Sequence, residues 1–241
     1  MIKIKNKEEL KIMKKGGKIL AEVMAEVLEA IKPGVSEIEL DRLAEELIKK
    51  RGAEPGFKKV PGYYNTICVS TNEVVVHGIP SDYKLKDKDI IGIDCGVYYK
   101  GFHTDMSETV RVRNQKSKIK NQEDEVDIFL ATGRKALDEG IKQAKIGNRI
   151  GNISRAIQTV VEGKKYSVVR SLVGHGIGRN LHEEPEVPGY LAQDIEKTPL
   201  LKEGMVIAIE VIYNMGGSEI IFANNDGWTL KTEDGSLSGL Y

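Results

Sequence analysis

The sequence lacks the features that mark several common classes of protein. It has only two cysteines, Cys68 and Cys95, without CxxC spacing, which favours reduced thiols over a disulfide framework. Lysine plus arginine and aspartate plus glutamate both number 36, so no net charge draws the chain to nucleic acid or to an anionic membrane. The N-terminus lacks the apolar core of a signal peptide, and no run approaches the ~20 apolar residues of a membrane span. These absences predict a cytoplasmic protein with no nucleic-acid or membrane partner.

Several familiar catalytic motifs are also missing. The segment HEEPE, which starts at His182, is not HExxH, because its fifth residue is Glu186 and Pro185 would break the helix that this motif needs. GHGIGR does not have the GxGxxG spacing, and neither GxxxxGK[ST] nor GxSxG occurs. Nucleotide binding and serine-hydrolase chemistry therefore have little support.

The sequence does contain an internal duplication. The stretch IKPGVSEIELDRLAEELIKKRG matches AKIGNRIGNISRAIQTVVEGKK, and KDKDIIGID matches KEGMVIAIE further along the chain. The second match pairs Asp94 with Glu210, so each half carries a carboxylate at an equivalent position. We predict a single catalytic domain, 1–241, made of halves at about 1–112 and 127–241 with a polar connection at 113–126.

Each half has the pattern of two helices followed by strands. Apolar spacing predicts a first helix that stops at Pro33-Gly34 and a second that opens with a capping box of Ser36 and Glu39. The second half repeats this pattern with helices predicted over 129–144 and 150–161. β-Branched runs predict the strands TICVS, VVVHG, DIIGIDCGVYY, SVVR and MVIAIEVIY. This order predicts an α+β fold with helices on one face of a largely antiparallel sheet.

Acidic residues inside apolar runs are the first candidates for a functional site. Asp94 lies in IIGIDCGV and Glu210 in MVIAIEVIY, where a buried charge is costly unless a metal or a partner compensates it. A hairpin through Gly101 would bring Asp105 beside Asp94, although a lone aspartate there would more often cap a turn. His175 lies among small residues in GHGIGR, and an imidazole with carboxylates suits Co, Mn, Fe or Zn. The combination predicts a hydrolytic metal site.

Two further histidines are candidates for contact with a substrate. His77 ends VVVHGIP and His182 lies in NLHEEP. A lone histidine after an apolar run is more often structural. However, three of the four histidines stand beside glycine, buried acids or proline turns, which favours function. For His103 a structural role is the better interpretation.

These motifs together resemble the type I, bacterial class of methionine aminopeptidases. The resemblance spans nearly the whole chain and rests on KNKEELKIMKKGGKIL, NEVVVHGIP, IGIDCGVYYKGFHTD, GHGIGRNLHEEP, KEGMVIAIE and DGWTLKTEDGSLS. It implies the pita-bread fold, a duplicated architecture with the metals between the halves. It further implies removal of the N-terminal methionine from nascent polypeptides with a small second residue, by a monomer in transient contact with the ribosome.

The resemblance also implies a role for each candidate. Two divalent ions (Co, Mn, Fe or Zn), about 3.5 to 4 Å apart, would be bound by Asp94, Asp105, His175 and Glu210, and Glu210 would also be the general base.

The remaining candidates would bind the substrate. His77 would contact the amide of the second residue, and His182 would stabilise the oxygen of the tetrahedral intermediate. The methionine side chain would lie in an apolar pocket lined by Tyr63, Cys68, Leu181 and Trp228.

Two departures from the family pattern keep alternatives open. Val211 stands where the family has proline after the glutamate. The family also continues beyond the SLS motif into a last strand that carries a fifth ligand, a glutamate. We therefore expect that strand to be missing from a sequence that runs to Tyr241. The alternatives are a binding module on the same scaffold with an incomplete ligand set, and a proline-directed aminopeptidase, a class that adds a large N-terminal domain.

Overall fold

The computed structural model describes residues 1–114 and 124–241. Within these stretches each half contains two helices followed by strands, as predicted. The first half consists of α1 (Lys7–Ala30), α2 (Glu37–Lys50), β1 (Glu54–Pro55), β2 (Ile67–Thr71), β3 (Val74–Val76), β4 (Ile90–Tyr99) and β5 (Phe102–Arg111). The second half consists of α3 (Glu125–Gln143), α4 (Ile150–Glu162), β6 (Ser167–Val168), β7 (Gly174–Gly176), β8 (Glu183–Val187), β9 (Ile212–Asn214), β10 (Ile220–Phe222), β11 (Leu230–Thr232) and β12 (Ser238–Leu240).

Local hydrogen bonds set the starts of the helices. The backbone N–H and the hydroxyl of Ser36 both donate to Glu39 Oε2 at 2.7 Å, which confirms the predicted capping box at α2. At the start of α4, the Arg149 N–H donates to Asn152 Oδ1 at 2.8 Å. In both cases a side chain three residues into the helix satisfies a backbone donor that the helix itself leaves unpaired.

The strand pairs of the described residues are all antiparallel, and they form four separate sheets rather than one. The longest pair is the β4–β5 hairpin, in which Ile90 faces Arg111 and Tyr99 faces Phe102. Its two turn residues, Lys100 and Gly101, both have positive φ angles, of 48° and 90°. A two-residue turn of this kind matches the twist of the strands that it joins, and it places the chain reversal at the predicted glycine.

The duplication seen in the sequence recurs in the backbone. Gly34 and Gly147 have the same φ of 92°. The Gly34 N–H donates to the carbonyl of Leu85 (2.8 Å), and the Gly147 N–H donates to that of Leu201 (3.5 Å). The partners, Leu85 and Leu201, immediately precede the two segments that the sequence match pairs. The two halves therefore share the order of their secondary-structure elements, and they share these equivalent backbone hydrogen bonds.

Each half has its own apolar core. In the first half, α1 and α2 cover β2 and β4 through buried residues that include Val23, Val27, Ile48, Ile67 and Ile93. In the second half, α3 and α4 pack around Phe129, Ile153, Ile157, Val211 and Tyr213. A smaller cluster around Phe57, Tyr63, Phe102, Ile177 and Leu181 joins residues from both halves.

The predicted strand over MVIAIEVIY was wrong for most of its length. Only Ile212–Asn214 forms a strand. Val206 and Ala208 hydrogen-bond along β7, where His175 and Ala208 exchange N–H donors at 3.2 and 2.7 Å, and Val211 exchanges them with Tyr241 at 2.9 and 3.2 Å. On its other side the run borders a cavity of about 270 Å³ beside Leu137 and Ile141 of α3. Among the described residues, 205–210 hydrogen-bond to a strand on one side only, so this stretch is irregular and Glu210 lies half-buried outside any strand.

The predicted connection lies partly outside the described residues. Residues 115–123 belong to that part, and α3 begins at Glu125. Among the helices of residues 1–114 and 124–241, none combines the length and apolar character that crossing a membrane would require.

Candidate active site

A cavity of about 610 Å³ is lined by residues of both halves. The structure brings all of the predicted site residues to its wall, namely Tyr63, Cys68, His77, Asp94, Asp105, His175, Leu181, His182, Glu210 and Trp228.

The β4–β5 hairpin places two carboxylates side by side. Asp105 on β5 faces Gly96 on β4, and Asp94 lies two positions from Gly96. Because side chains alternate along a strand, Asp94 and Asp105 project from the same face of the ladder. The two carboxyl groups are close enough for each to affect the pKa of the other, while Asp105 Oδ1 is buried without any hydrogen-bond partner.

His175 and Glu210 reach the same point from the second half. His175 Nε2 lies 3.3 Å from Glu210 Oε1 and 3.8 Å from Asp105 Oδ2. On the other side of the ring, Nδ1 lies 2.8 Å from the carbonyl oxygen of Gly176. A carbonyl can only accept, so Nδ1 carries a proton, and Nε2 is the ring nitrogen that faces the carboxylates.

The crowding of acidic groups shifts their protonation. Burial, followed by the nearby charge of Glu210, raises the pKa of Asp105 to about 7. Burial and the carboxylates of Asp105 and Glu210 raise the pKa of Asp94 well above its ordinary value. Burial alone would lower the pKa of His175, but the hydrogen bond and charge of Glu210 outweigh it, and this pKa is raised. The protein alone supplies too little positive charge for the acids at this site.

Two more imidazoles stand at the edge of the carboxylate cluster. The His182 ring lies perpendicular to that of His175, with centroids 4.3 Å apart. His77 follows β3 with a left-handed φ of 57°, unusual for a residue with a side chain, and this ends the predicted VVVHG strand at Val76. Burial lowers the pKa of both His77 and His182, which favours neutral rings that can donate one hydrogen bond.

The opposite wall of the cavity is apolar. The Trp228 ring meets the edge of Tyr63 at a centroid distance of 5.1 Å, and Phe57 meets Tyr63 at 6.4 Å. The Tyr63 hydroxyl donates to the carbonyl of Ile67 at 2.7 Å, so its polar end is satisfied away from the cavity. Cys68 and Leu181 complete this wall.

Residues 11–235 match the profile of metallopeptidase family M24. The chain belongs to metallopeptidase family M24. Methionine aminopeptidase of Clostridium perfringens is 44% identical over 241 residues, a match that covers 100% of this chain and 93% of the relative. Methionine aminopeptidase 1 of Bacillus subtilis is 46% identical over 235 residues, which covers 98% and 91% of the two chains. The crystal structure of methionine aminopeptidase from Thermotoga maritima superposes with a TM-score of 0.91 at 37% identity, covering 100% and 93%. These similarities confirm the predicted family and the pita-bread fold.

Membership of family M24 implies a divalent metal cofactor, and the donor set fits one. In residues 1–114 and 124–241, no three His, Cys, Asp or Glu side chains converge tightly enough to form a closed shell. The four predicted ligands instead lie in two pairs, Asp94 with Asp105 and His175 with Glu210. The unpartnered Asp105 Oδ1, the raised acid pKa values and an Nε2 of His175 that faces two carboxylates are features that a cation would satisfy.

The sequence interpretation missed Phe57, which also lines the cavity. Its ring fills the space left by Gly96, where a Cβ atom would come within 2.6 Å of Phe57. A glycine inside an otherwise apolar strand is a signal that another group approaches closely, although it does not say which group. His103 is absent from the cavity wall and packs against Tyr98, with ring centroids 4.8 Å apart.

Proposed function

We propose that this chain is a methionine aminopeptidase that removes the N-terminal methionine from nascent polypeptides with a small second residue. It acts in the cytoplasm as a monomer, on chains in transient contact with the ribosome, with 1–112 and 127–241 as halves of one catalytic domain. The observation that carries the proposal is the cavity itself, in which an acidic, imidazole-bearing wall faces an apolar wall suited to a thioether.

Asp94, Asp105, His175 and Glu210 are the ligands of two divalent ions, which are Co, Mn, Fe or Zn. Carboxylate oxygens with one imidazole nitrogen form a mixed donor set that these metals accept. When bound, the ions supply Lewis-acid stabilisation of developing negative charge and make water more acidic.

The side chains of the protein carry the proton transfers. The Glu210 side chain is 23% exposed to the cavity, so its carboxylate can take the proton of the attacking water as general base. An N–H of His182 donates to the carbonyl oxygen of the first peptide bond, where charge develops in the transition state. His77 contacts the amide of the second residue and holds the peptide in line.

Methionine specificity comes from the apolar wall. Tyr63, Cys68, Leu181 and Trp228 surround the side chain of the first residue. The Tyr63 hydroxyl is already bonded to Ile67, so the pocket presents ring faces and a thiol to the thioether, contacts that suit sulfur. A charged first residue would leave its charge desolvated and unpaired there.

The test is release of free methionine from Met-Ala-Ser by the purified chain, loaded in turn with Co, Mn, Fe and Zn. We expect release from Met-Ala-Ser, much slower release from Met-Leu-Ser, and none from Ala-Pro-Ser or in the presence of a chelator. Peptide binding without release under every metal would support the binding-module alternative. Cleavage of Ala-Pro-Ser in preference to Met-Ala-Ser would support the proline-directed alternative.

A further inference from the structure

The buried ammonium of Lys5 has no part in the proposed chemistry. Its Nζ lies 2.8 Å from Glu183 Oε2, and the two side chains are only 4% and 2% exposed. Removing two charges from water is costly, and apolar side chains of similar volume often stabilise a protein as well or better. A buried pair of this kind therefore suggests a role other than stability.

The loop 178–183 is folded around this ion pair. The Asn180 N–H donates to Glu183 Oε1 at 3.2 Å, and the Gly178 N–H donates to the Asn180 carbonyl at 3.1 Å. A Cβ atom at Gly178 would lie 2.5 Å from Lys5 Cε and 3.0 Å from Glu183 Oε1. The backbone thus passes directly against the lysine, and the shape of the loop depends on both charged groups.

The same loop carries three residues of the cavity wall. Leu181 and His182 stand between Asn180 and Glu183, and both line the cavity together with Glu183 itself. His182 immediately precedes the paired glutamate, so movement of the Glu183 backbone displaces the imidazole directly. A hydrogen-bond donor that acts on a transition state must be held to within about 0.5 Å of its productive position.

Lys5 is itself anchored beside the second catalytic segment. Its backbone N–H donates to the carbonyl of Gly204 at 2.8 Å. Gly204 immediately precedes the irregular run 205–211 that carries Glu210. Lys5 is therefore bonded both to the loop with His182 and to the start of the segment with Glu210.

We propose that Lys5 is a positioning residue: its buried ion pair with Glu183 fixes the loop 178–183 so that His182 faces the reacting carbonyl. This inference rests on the proposed function, because it assigns His182 a hydrogen bond to the substrate. Lys5 lies outside the cavity wall and acts only through Glu183.

The test uses the full chain and three sets of variants. Lys5→Met alone leaves the buried Glu183 carboxylate with only the longer ion pair to the half-exposed Lys3, whose Nζ lies 3.4 Å from Oε1, so it can fail to fold. The double variant Lys5→Met/Glu183→Gln removes both charges and keeps an acceptor for the Asn180 N–H. Lys11→Met is the matched control, because Lys11 pairs with Glu8 on the surface, where the two side chains are 72% and 78% exposed.

The kinetic outcome separates positioning from general stability. In the folded double variant we expect kcat for Met-Ala-Ser to fall about 10- to 100-fold with little change in KM. Lys11→Met leaves both constants unchanged. In a His182→Ala background the double substitution lowers kcat by less than about two-fold, because the group that it positions is already gone. An equal loss in both backgrounds, or no loss in either, would overturn the proposal.

A second measurement does not depend on activity. The chain has only four histidines, so their ring signals can be assigned by single substitutions in NMR spectra of the metal-free protein. We expect the His182 signals to shift and broaden in Lys5→Met/Glu183→Gln while those of His77 stay in place. Unchanged His182 signals would refute the positioning role. If the wild-type chain released no methionine, the proposed function would fail, and these spectra would still decide whether Lys5 fixes His182.

Discussion

The two halves hold their equivalent acidic residues in different ways. Asp94 lies in a ten-residue strand that is paired on both sides, by β2 and by β5. Glu210, its counterpart in the duplication, lies in an irregular run that hydrogen-bonds to β7 on one side. One half thus offers a carboxylate held in a strand that is paired on both sides, and the other offers one on a segment that lies outside any strand. The difference suits a division of labour in which Asp94 holds metal and Glu210 exchanges protons with water.

The strongest test of this difference between Asp94 and Glu210 is to neutralise each carboxylate in turn. Glu210→Gln should lower kcat by about 10²- to 10⁴-fold and leave most of the metal bound, because the paired carboxylates of Asp94 and Asp105 remain intact. Asp94→Asn should instead lower the metal content. Metal per chain after gel filtration, measured together with kcat, distinguishes the two effects. Loss of metal from Glu210→Gln combined with full retention in Asp94→Asn would reverse the assignment.

The pH dependence of the unfolding free energy of the metal-free protein tests whether the carboxylates of Asp105 and Glu210 are crowded together. The folded-state pKa of Asp105 is raised to about 7 by burial and by Glu210, against an unfolded value of about 3.9. The folded chain therefore holds this proton more tightly. The stabilisation that results is complete below about pH 4 and is lost as the pH rises to about 7, with a change on the order of 4 kcal/mol.

Urea unfolding of the metal-free chain between pH 5 and pH 8 measures this loss. The Asp105→Asn variant is the control, since it has no proton to release at that position. Its free energy of unfolding should fall less over this range. Parallel curves for the two proteins would show that the carboxylates are not crowded as described.

His77, which lies in the first half, provides a further test of the roles assigned to the two halves. His77→Ala should lower kcat about 10- to 100-fold, the effect of losing one hydrogen bond to the reacting peptide, with metal content unchanged. The assay is metal content together with kcat for Met-Ala-Ser. A variant that lost metal but kept its turnover per bound ion would place His77 among the ligands instead.

The smallest expected difference concerns the equivalent helix starts. Glu39 Oε2 accepts two bonds from Ser36, whereas Asn152 Oδ1 accepts one from Arg149. Glu39→Ala should cost about 1 kcal/mol of unfolding free energy, and Asn152→Ala about half of that. Glu46→Ala, on the exposed side of α2, is the control and should change little. A larger loss for Asn152→Ala would show that the second half depends more on its cap.

The features that the sequence predicted correctly depend on short stretches of chain or on the duplication. The Ser36–Glu39 box and the turn at Gly101 are local, and the match of Asp94 with Glu210 placed a site between the halves. Whether an apolar run pairs on one side or two depends on distant segments, so the irregularity of 205–211 could not be predicted. The burial of Lys5 could not be predicted for the same reason, because its partner, Glu183, lies 178 positions away.

The most direct test of the account is a metal titration of methionine release. The metal-free chain receives Mn²⁺ from zero to three equivalents, and the initial rate of methionine release from Met-Ala-Ser is measured at each step. The account predicts no release without metal and a rate that rises with added Mn²⁺ to a plateau by about two equivalents. A rate independent of metal, or tight Mn²⁺ binding without any release of methionine, would contradict it.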